Sequence, residues 1–488
     1  MATEPTFMSV REMSDALQAK VISATELTEI HLGRIAALDG AVGSYLAVAS
    51  ELAAMQAVAA DDRILAGNAG PLTGVPMQLK DNMATKGVTT TCASLMLENF
   101  IPPYDASVTK DLADAGAVLL GKGNMDEYAM GSSSETSAFK VVHNPWDLDR
   151  VSGGSSGGPA AAVAAGLAAY SLGSDTGGSI RQPASLCGVI GLKPTYGLVS
   201  RYGLIAFASS LDQIGPITRT AEDAALVMNA IAGPDASDST SIPSAPADYT
   251  AGLRDGVKGL RIGVVPEYFG EGIDPEVARL TKEAIAVLES QGAEVDWNIS
   301  LPNSRAALAV YYVIAPSEAS ANLARYDGVK YGFSATEVSN LFEAFEATRE
   351  RGFGTEVKRR IMMGTYALSA GYYDAYYKKA QQVRTLIRRE FDEAFTKVDV
   401  LAMPTSPTTA FKIGEKMANP LVMHANDICT VPANIAGIPG ISVPCGLLDG
   451  LPVGLQLLGP HLSEPTLLRA AHTYQQATDW HTRHPDIA

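Results

Sequence analysis

The sequence predicts an α/β fold. Three observations carry that prediction. Short apolar segments of strand length alternate with helical periodicities along most of the chain. A glycine-rich loop feeds directly into a proline- and alanine-rich helix, and a second such loop follows the apolar segment after it. Apolar residues make up 47% of the 488 and charged residues 18%, which is enough to build a large core and leaves little scope for disorder.

The elements follow in order. Residues 23–38 read as a helix: Ser23 and Glu26 form an S-x-x-E capping box, and Leu27, Ile30, Ile35 and Leu38 recur close to helical period. Tyr45–Ala49 reads as a short strand. Asp111–Ala115 lies in a helix, with Val118–Leu120 in the strand after it. Pro159 belongs in the first turn of a helix, and the alanines that follow it are the best helix formers. Gly233–Ala251, rich in Pro, Ser, Asp and Ala, reads as a surface connection. Leu260–Val265 is a strand, Pro275–Gln291 a helix and Ala293–Trp297 a strand. These are read as further layers on the same sheet, with a new domain as the alternative. Glu356–Phe395 is a long, mostly helical stretch dense in tyrosine and basic residues. Val398–Met403 is a strand stopped by Pro404. Ile441–Pro444 and Pro452–Leu458 flank Asp449-Gly450, a hairpin signal. No internal repeat or coiled coil is visible. Residues 1–488 therefore read as one domain: a helical segment to about 70, a core over about 71–230 and later layers over about 255–480.

Composition limits the function classes. The net charge is −16, so the chain is a poor stand-alone binder of phosphate backbones, and any nucleic acid is better held by another chain. The charge itself supports solubility. The four cysteines, Cys92, Cys187, Cys429 and Cys445, are widely spread and form no C-x-x-C pair. That speaks against a zinc site or a disulfide framework and for free thiols. Met1 to Phe7 lacks the layout of a secretory signal, and the alanine-rich stretch Pro159–Tyr170 is too short to span a bilayer. A cytoplasmic location without membrane attachment is the expectation.

Several chemistries compete for the glycine loops. Gly153-Gly154-Ser155-Ser156-Gly157 matches the nucleophile elbow G-x-S-x-G, but that motif needs a strand just before it, and Asn144–Arg150 is polar and turn-like. A Ser-His-Asp site needs a histidine, and four of the seven histidines crowd into the last 28 residues. His143, beside Asn144-Pro145, reads as a loop residue. No G-x-x-x-x-G-K-[ST] phosphate loop occurs. Lys80 offers another activator. It ends the short apolar segment in Thr73–Asn82, at a strand end pointing inward. A lone lysine usually snorkels to the surface. A buried one has a lowered pKa and serves as a base when neutral. Two serine-bearing glycine loops elsewhere make that combination a candidate.

Lys80, the Gly153–Gly158 loop and Ser174–Ala184, in this order and at these separations, together resemble the amidase signature family. Asn124–Ser133, Tyr311–Ser320 and Ser369–Tyr377 are similar, more narrowly, to the A subunits of glutamyl-tRNA(Gln) amidotransferases. The likeness runs from about residue 8 to about 482. Pro159 is a departure, since relatives usually carry a small residue such as Ser there. An N1 proline is tolerated in a helix, so little effect is expected.

The resemblance implies a single α/β domain around a mixed, mostly parallel sheet with helices on both faces. It implies a Ser–cis-Ser–Lys triad: Ser179 as nucleophile, Ser155 on a cis peptide bond as proton relay, and Lys80 as base. The amides of Thr176, Gly177, Gly178 and Ser179 are the implied oxyanion hole. Glutamine is the implied substrate. Arg360 is assigned to its carboxylate, with Arg359 as a one-residue alternative, and Asp427 to its ammonium. Tyr311, Gly131 and Ser132 are the other implied substrate contacts. Two of Lys358, Arg359 and Arg360 belong on a solvated helix face. Asp81, Asp175 and Arg181 are structural supports. No metal or cofactor is implied in this chain. ATP and Mg²⁺ would be used in the complex, and B and C subunits would complete a heterotrimer in which the B subunit holds Glu-tRNA(Gln). The alternative is a free-standing amidase acting on small or aryl amides.

Overall fold

The computed structural model describes residues 4–243 and 247–487. In chain order, β1 is Tyr45–Val48, β2 Pro76–Lys80 and β3 Val118–Gly123. A small separate hairpin follows, of β4 (His143–Asn144) and β5 (Asp147–Val151). Next come β6 (Tyr170–Asp175), β7 (Ile190–Lys193) and β8 (Gln213–Thr218). The last strands are β9 (Arg261–Val264), β10 (Glu294–Asp296), β11 (Val400–Pro404), β12 (Gly440–Leu448) and β13 (Leu451–Leu458). Apart from β4 and β5 they form one 11-stranded sheet, ordered β1-β3-β2-β6-β8-β7-β12-β13-β11-β9-β10.

The sheet is mixed, as expected. Parallel pairing holds within two blocks, β3-β2-β6 and β11-β9-β10. The strands between those blocks, and β1 on β3, pair antiparallel. Both faces are covered, and side-chain alternation shows it on β11. Val400 and Ala402 join one apolar core, while Leu401 and Met403 join the other. The strands expected at Leu260–Val265 and Ala293–Trp297 lie in this same sheet, at its far edge.

Local chemistry explains most boundaries. Ser23 Oγ accepts the Glu26 N–H at 3.1 Å and Glu26 Oε2 accepts the Ser23 N–H at 2.9 Å, so the predicted capping box forms. That helix runs on from Ala24 to Val42, because Asp39 and Val42 are still buried, and it ends at Gly43. Pro159 stands at the third residue of helix Gly157–Ala164 rather than the first, still within the turn whose N–H groups have no helical partner. The hairpin turn has φ +52° at Asp449 and +81° at Gly450, as a type I′ turn requires. Its strands are longer than predicted because β12 continues past a bulge between Pro444 and Gly446. Pro404 is the last residue of β11 rather than the one after it. The long basic and aromatic stretch divides into helices Thr355–Leu368 and Lys379–Ala394, joined through a π-helical turn at Asp374–Lys378. The connection over 233–251 is irregular where described; 244–246 lie outside the described residues.

Helices Ala307–Asn322 and Thr355–Leu368 pack against each other, and between them they carry Tyr311 and Arg360. They come close at Gly364, where an added Cβ would lie 1.9 Å from the Pro316 carbonyl oxygen. Gly364→Ala is therefore expected to cost about 1–3 kcal/mol by forcing the helices apart. A thermal melt checks this: the Tm should fall, and an unchanged Tm would mean that the pair separates freely.

Candidate active site

Strand alternation places the lysine. Met77 and Leu79 point into the apolar core, so Gln78 and Lys80 face the other way. Lys80 ends β2, and the loop Thr176–Ser179 leaves the end of its parallel neighbour β6. Ligands bind at such carboxyl ends of parallel strands. Lys80 is fully buried. Its Nζ donates to Ser155 Oγ at 2.7 Å, Ser156 Oγ at 2.9 Å, Ser174 Oγ at 3.0 Å and the Ser174 carbonyl at 3.3 Å. Burial pushes its pKa down to about 7, against the opposing charges of Asp126, Asp175 and Asp212.

Three serines touch the lysine, and the two from the first glycine loop, Ser155 and Ser156, are separated by their other bonds. Ser156 Oγ accepts from Lys80 and from the Ser174 N–H at 3.3 Å, and it donates to the Ser174 carbonyl at 3.2 Å. Its hydrogen-bonding capacity is used up. Ser155 Oγ bonds to Lys80 only among the described residues, so its own proton is committed to no other group. The Gly154–Ser155 peptide bond is cis. Ser179 is 7% exposed, and its carbonyl accepts the Ser156 N–H at 3.2 Å, which ties the two glycine loops together. Among the described residues no hydrogen bond joins Ser179 Oγ to Ser155 Oγ. Lys80 and Ser155 are thus in direct contact, and Ser179 is held beside them through the backbone.

The loop before Ser179 needs its glycines for close approach. An added Cβ would lie 2.8 Å from the Tyr311 ring at Gly177 and 2.1 Å from Thr430 Oγ1 at Gly178. One expectation is corrected here. The Gly178 N–H is already donated to Asp175 Oδ1 at 2.8 Å, so it is not free to hold an oxyanion. The amides of Thr176, Gly177 and Ser179 make no hydrogen bond among the described residues and remain the candidate donors.

A cavity of about 350 Å³ lies on the exposed side, with Gly131, Ser132, Glu356, Arg359, Arg360 and His424 in its wall. Lys80, Ser155 and Ser179 are not part of that wall. Asp427 joins the two regions: its carboxylate accepts Ser132 Oγ at 2.8 and 3.0 Å and Tyr312 Oη at 2.9 Å, and its backbone carbonyl accepts from Thr430 Oγ1, which also donates to the Gly177 carbonyl. Burial raises the Asp427 carboxyl to about 6, while Ser132, Tyr312 and Arg360 oppose the rise. Gly131 packs against the Asp126 carboxylate. Arg360 is buried, pairs with Glu356 at 2.7 Å and faces the Tyr312 ring at 5.4 Å. Arg359 is 30% exposed and also pairs with Glu356, so of the two arginines Arg360 is the one turned inward beside Tyr312.

Comparison with known proteins gives the family. The amidase family model matches residues 26–468. The chain belongs to the amidase signature family. It is 58% identical over 482 residues to the A subunit of a glutamyl-tRNA(Gln) amidotransferase from Moorella thermoacetica, covering 99% of each chain. A solved structure of the corresponding A subunit from Thermotoga maritima superposes with a TM-score of 0.81 at 43% identity, over 98% of this chain and 96% of that one. A bacterial aryl acylamidase of the same family superposes with a TM-score of 0.85 at 26% identity, over 98% and 99% of the two chains.

Several members of this site escaped the sequence reading. Glu356 carried a usable signal, because it precedes Arg360 by one helical turn. Tyr312 and Thr430 carried none. Glu127 accepts the Gly354 N–H at 2.8 Å, and so holds the N-terminus of the helix that bears Arg360. His424 is the histidine nearest this chemistry. Burial and the charges of Arg360 and Arg359 push it down to about 4, and its Nε2 contacts the Arg359 guanidinium at 3.2 Å.

The expected supports are more than bystanders. Arg181 spends five N–H bonds on Asp175 (two, at 3.1 Å), Gln456, Asn434 and the Thr430 carbonyl. Burial alone would raise the Asp175 carboxyl; the Arg181 pair, with Lys193 and Asn434, holds it at about 2 instead. Both partners are fully buried. Arg181→Met should therefore cost about 3–5 kcal/mol by leaving the buried Asp175 charge without its ion-pair partner. Denaturant unfolding measures this, and a loss below about 1 kcal/mol would show that the loop does not depend on the pair.

Proposed function

We propose that this chain is the glutamine-hydrolysing A subunit of a glutamyl-tRNA(Gln) amidotransferase. The observation that carries the chemistry is the buried Lys80 amine on Ser155 Oγ at 2.7 Å, beside a loop with unbonded amides. The near full-length likeness to subunits of that name supports the substrate. It also disfavours a free-standing amidase, since the aryl acylamidase match is at only 26% identity.

In this reading neutral Lys80 accepts a proton through Ser155 as Ser179 Oγ attacks the side-chain amide carbon of glutamine. The amides of Thr176, Gly177 and Ser179 hold the oxyanion. The proton returns by the same route to the leaving nitrogen, the C–N bond breaks and ammonia departs. Water then cleaves the acyl-enzyme and releases glutamate. Arg360 and Asp427 grip the carboxylate and ammonium ends, with Tyr311, Gly131 and Ser132 around them. B and C subunits complete the complex, in the cytoplasm. The B subunit holds Glu-tRNA(Gln) with ATP and Mg²⁺ and uses the ammonia. No helix among the described residues is long and apolar enough to cross a membrane, which is compatible with that setting.

Ser179→Ala should abolish glutamine-dependent amidation in the complex and leave amidation from added ammonium salt intact. Loss of both activities would overturn the reading. The pH profile is a second check. Protonated Lys80 cannot accept a proton, so kcat for glutamine hydrolysis should climb through pH about 7 and level off above it. A rate flat from pH 5.5 to 8.5, about three pH units around that value, would remove Lys80 as the base.

A further inference from the structure

Tyr312 touches both charged groups assigned to the ends of the substrate, Asp427 and Arg360. Its hydroxyl donates to Asp427 Oδ2 at 2.9 Å. Its ring lies 5.4 Å from the Arg360 guanidinium carbon. The His424 ring stacks on it at 3.6 Å, and Tyr311 meets it edge-on at 5.0 Å. Lys80 and the serines around it make no hydrogen bond to Tyr312. Its contacts are therefore with the groups assigned to the far end of the substrate and not with those at the amide.

We propose that Tyr312 is a specificity-determining positioning residue, which holds Asp427 and Arg360 as a matched reader of amides carrying both an ammonium and a carboxylate. The inference rests on the reading given above and adds how the pocket rejects simpler amides. An O–H donated to a carboxylate favours its charged form, and burial works the other way at Asp427. The charged form is the one that binds an ammonium. The ring keeps the arginine beside that carboxylate without neutralising either group. An amide with the carboxylate but no ammonium draws on Arg360, which the ring still holds, and should not sense the loss of the hydroxyl.

The test compares the unaltered complex with Tyr312→Phe, Asp427→Asn and the double variant, following ammonia release. The substrates are glutamine and glutaramate, the same amide without the α-ammonium. Tyr312→Phe should raise the glutamine KM about tenfold, the scale of one hydrogen bond to a charged group, with kcat changed less than about twofold. The KM for glutaramate should not move. In the Asp427→Asn background the tyrosine change should add less than about a factor of two, because both act through one carboxylate. Equal losses for both amides, independent effects of the two substitutions, or an unchanged glutamine KM would each overturn the proposal. So would a Tyr312→Phe protein that no longer folds, since the role would then be structural. An unaltered complex that releases no ammonia from glutamine would instead overturn the functional reading on which the proposal rests.

Discussion

A lysine amine shut away from water must either give up its proton or find oxygen atoms to hold it. Lys80 does part of both. Four hydrogen bonds to three serines hold the ammonium, and burial still brings its pKa down to about 7. The rest of the site follows from that balance. Ser156 is spent on keeping the amine in place, which leaves Ser155 as the serine of that glycine loop whose proton is not committed. The arrangement also has a cost. Below the ordinary lysine value of 10.5 the unfolded chain binds a proton that the folded chain gives up more easily. This group therefore works against folding at neutral pH and below, and that deficit shrinks as pH rises from about 7 towards 10.5.

The opposing requirement lies just behind it. A neutral base must not be flanked by a free carboxylate, and Asp175 is in the same loop. Arg181 claims that carboxylate with two of its five N–H bonds and anchors the remaining three on Thr430, Asn434 and Gln456. The same carboxylate takes the N–H groups of Gly178 and Ile180, so the turn before and after Ser179 is fixed by a charge that is already balanced. The loop geometry and the basicity of Lys80 are therefore set together.

What was legible in the sequence was what depends on near neighbours. Ser23 and Glu26 form their box, Asp449-Gly450 turns its hairpin and Lys80 ends a buried strand, each within a few residues of its cause. The order of Lys80 and the two glycine loops identified the family, because such patterns summarise a whole site. Contacts across the chain were not legible. Tyr312 reaches Asp427 over 115 residues, and Thr430 reaches Gly177 over 253. The oxyanion assignment of Gly178 failed for a local reason: Asp175, three residues back, captures its N–H. The arginine choice was open because the sequence cannot say which of two neighbours turns inward. The helix packing turns Arg360 inward, buried, and leaves Arg359 30% exposed.

The two halves of the site have different physical demands, and the fold keeps them apart. At the amide end the useful state is a neutral amine, which requires burial and weak fields. At the other end the useful states are a charged carboxylate and a charged guanidinium, which need hydrogen bonds and partners. Tyr311 stands on the boundary, its ring over Gly177 on one side and against Tyr312 on the other. The helix Ala307–Asn322 that carries both tyrosines is locked to the helix that carries Arg360 by the close contact at Gly364. Glu127 fixes the start of that second helix from the loop that also supplies Gly131 and Ser132. In the proposed reading, a change in substrate charge is thus sensed on elements that do not carry Lys80.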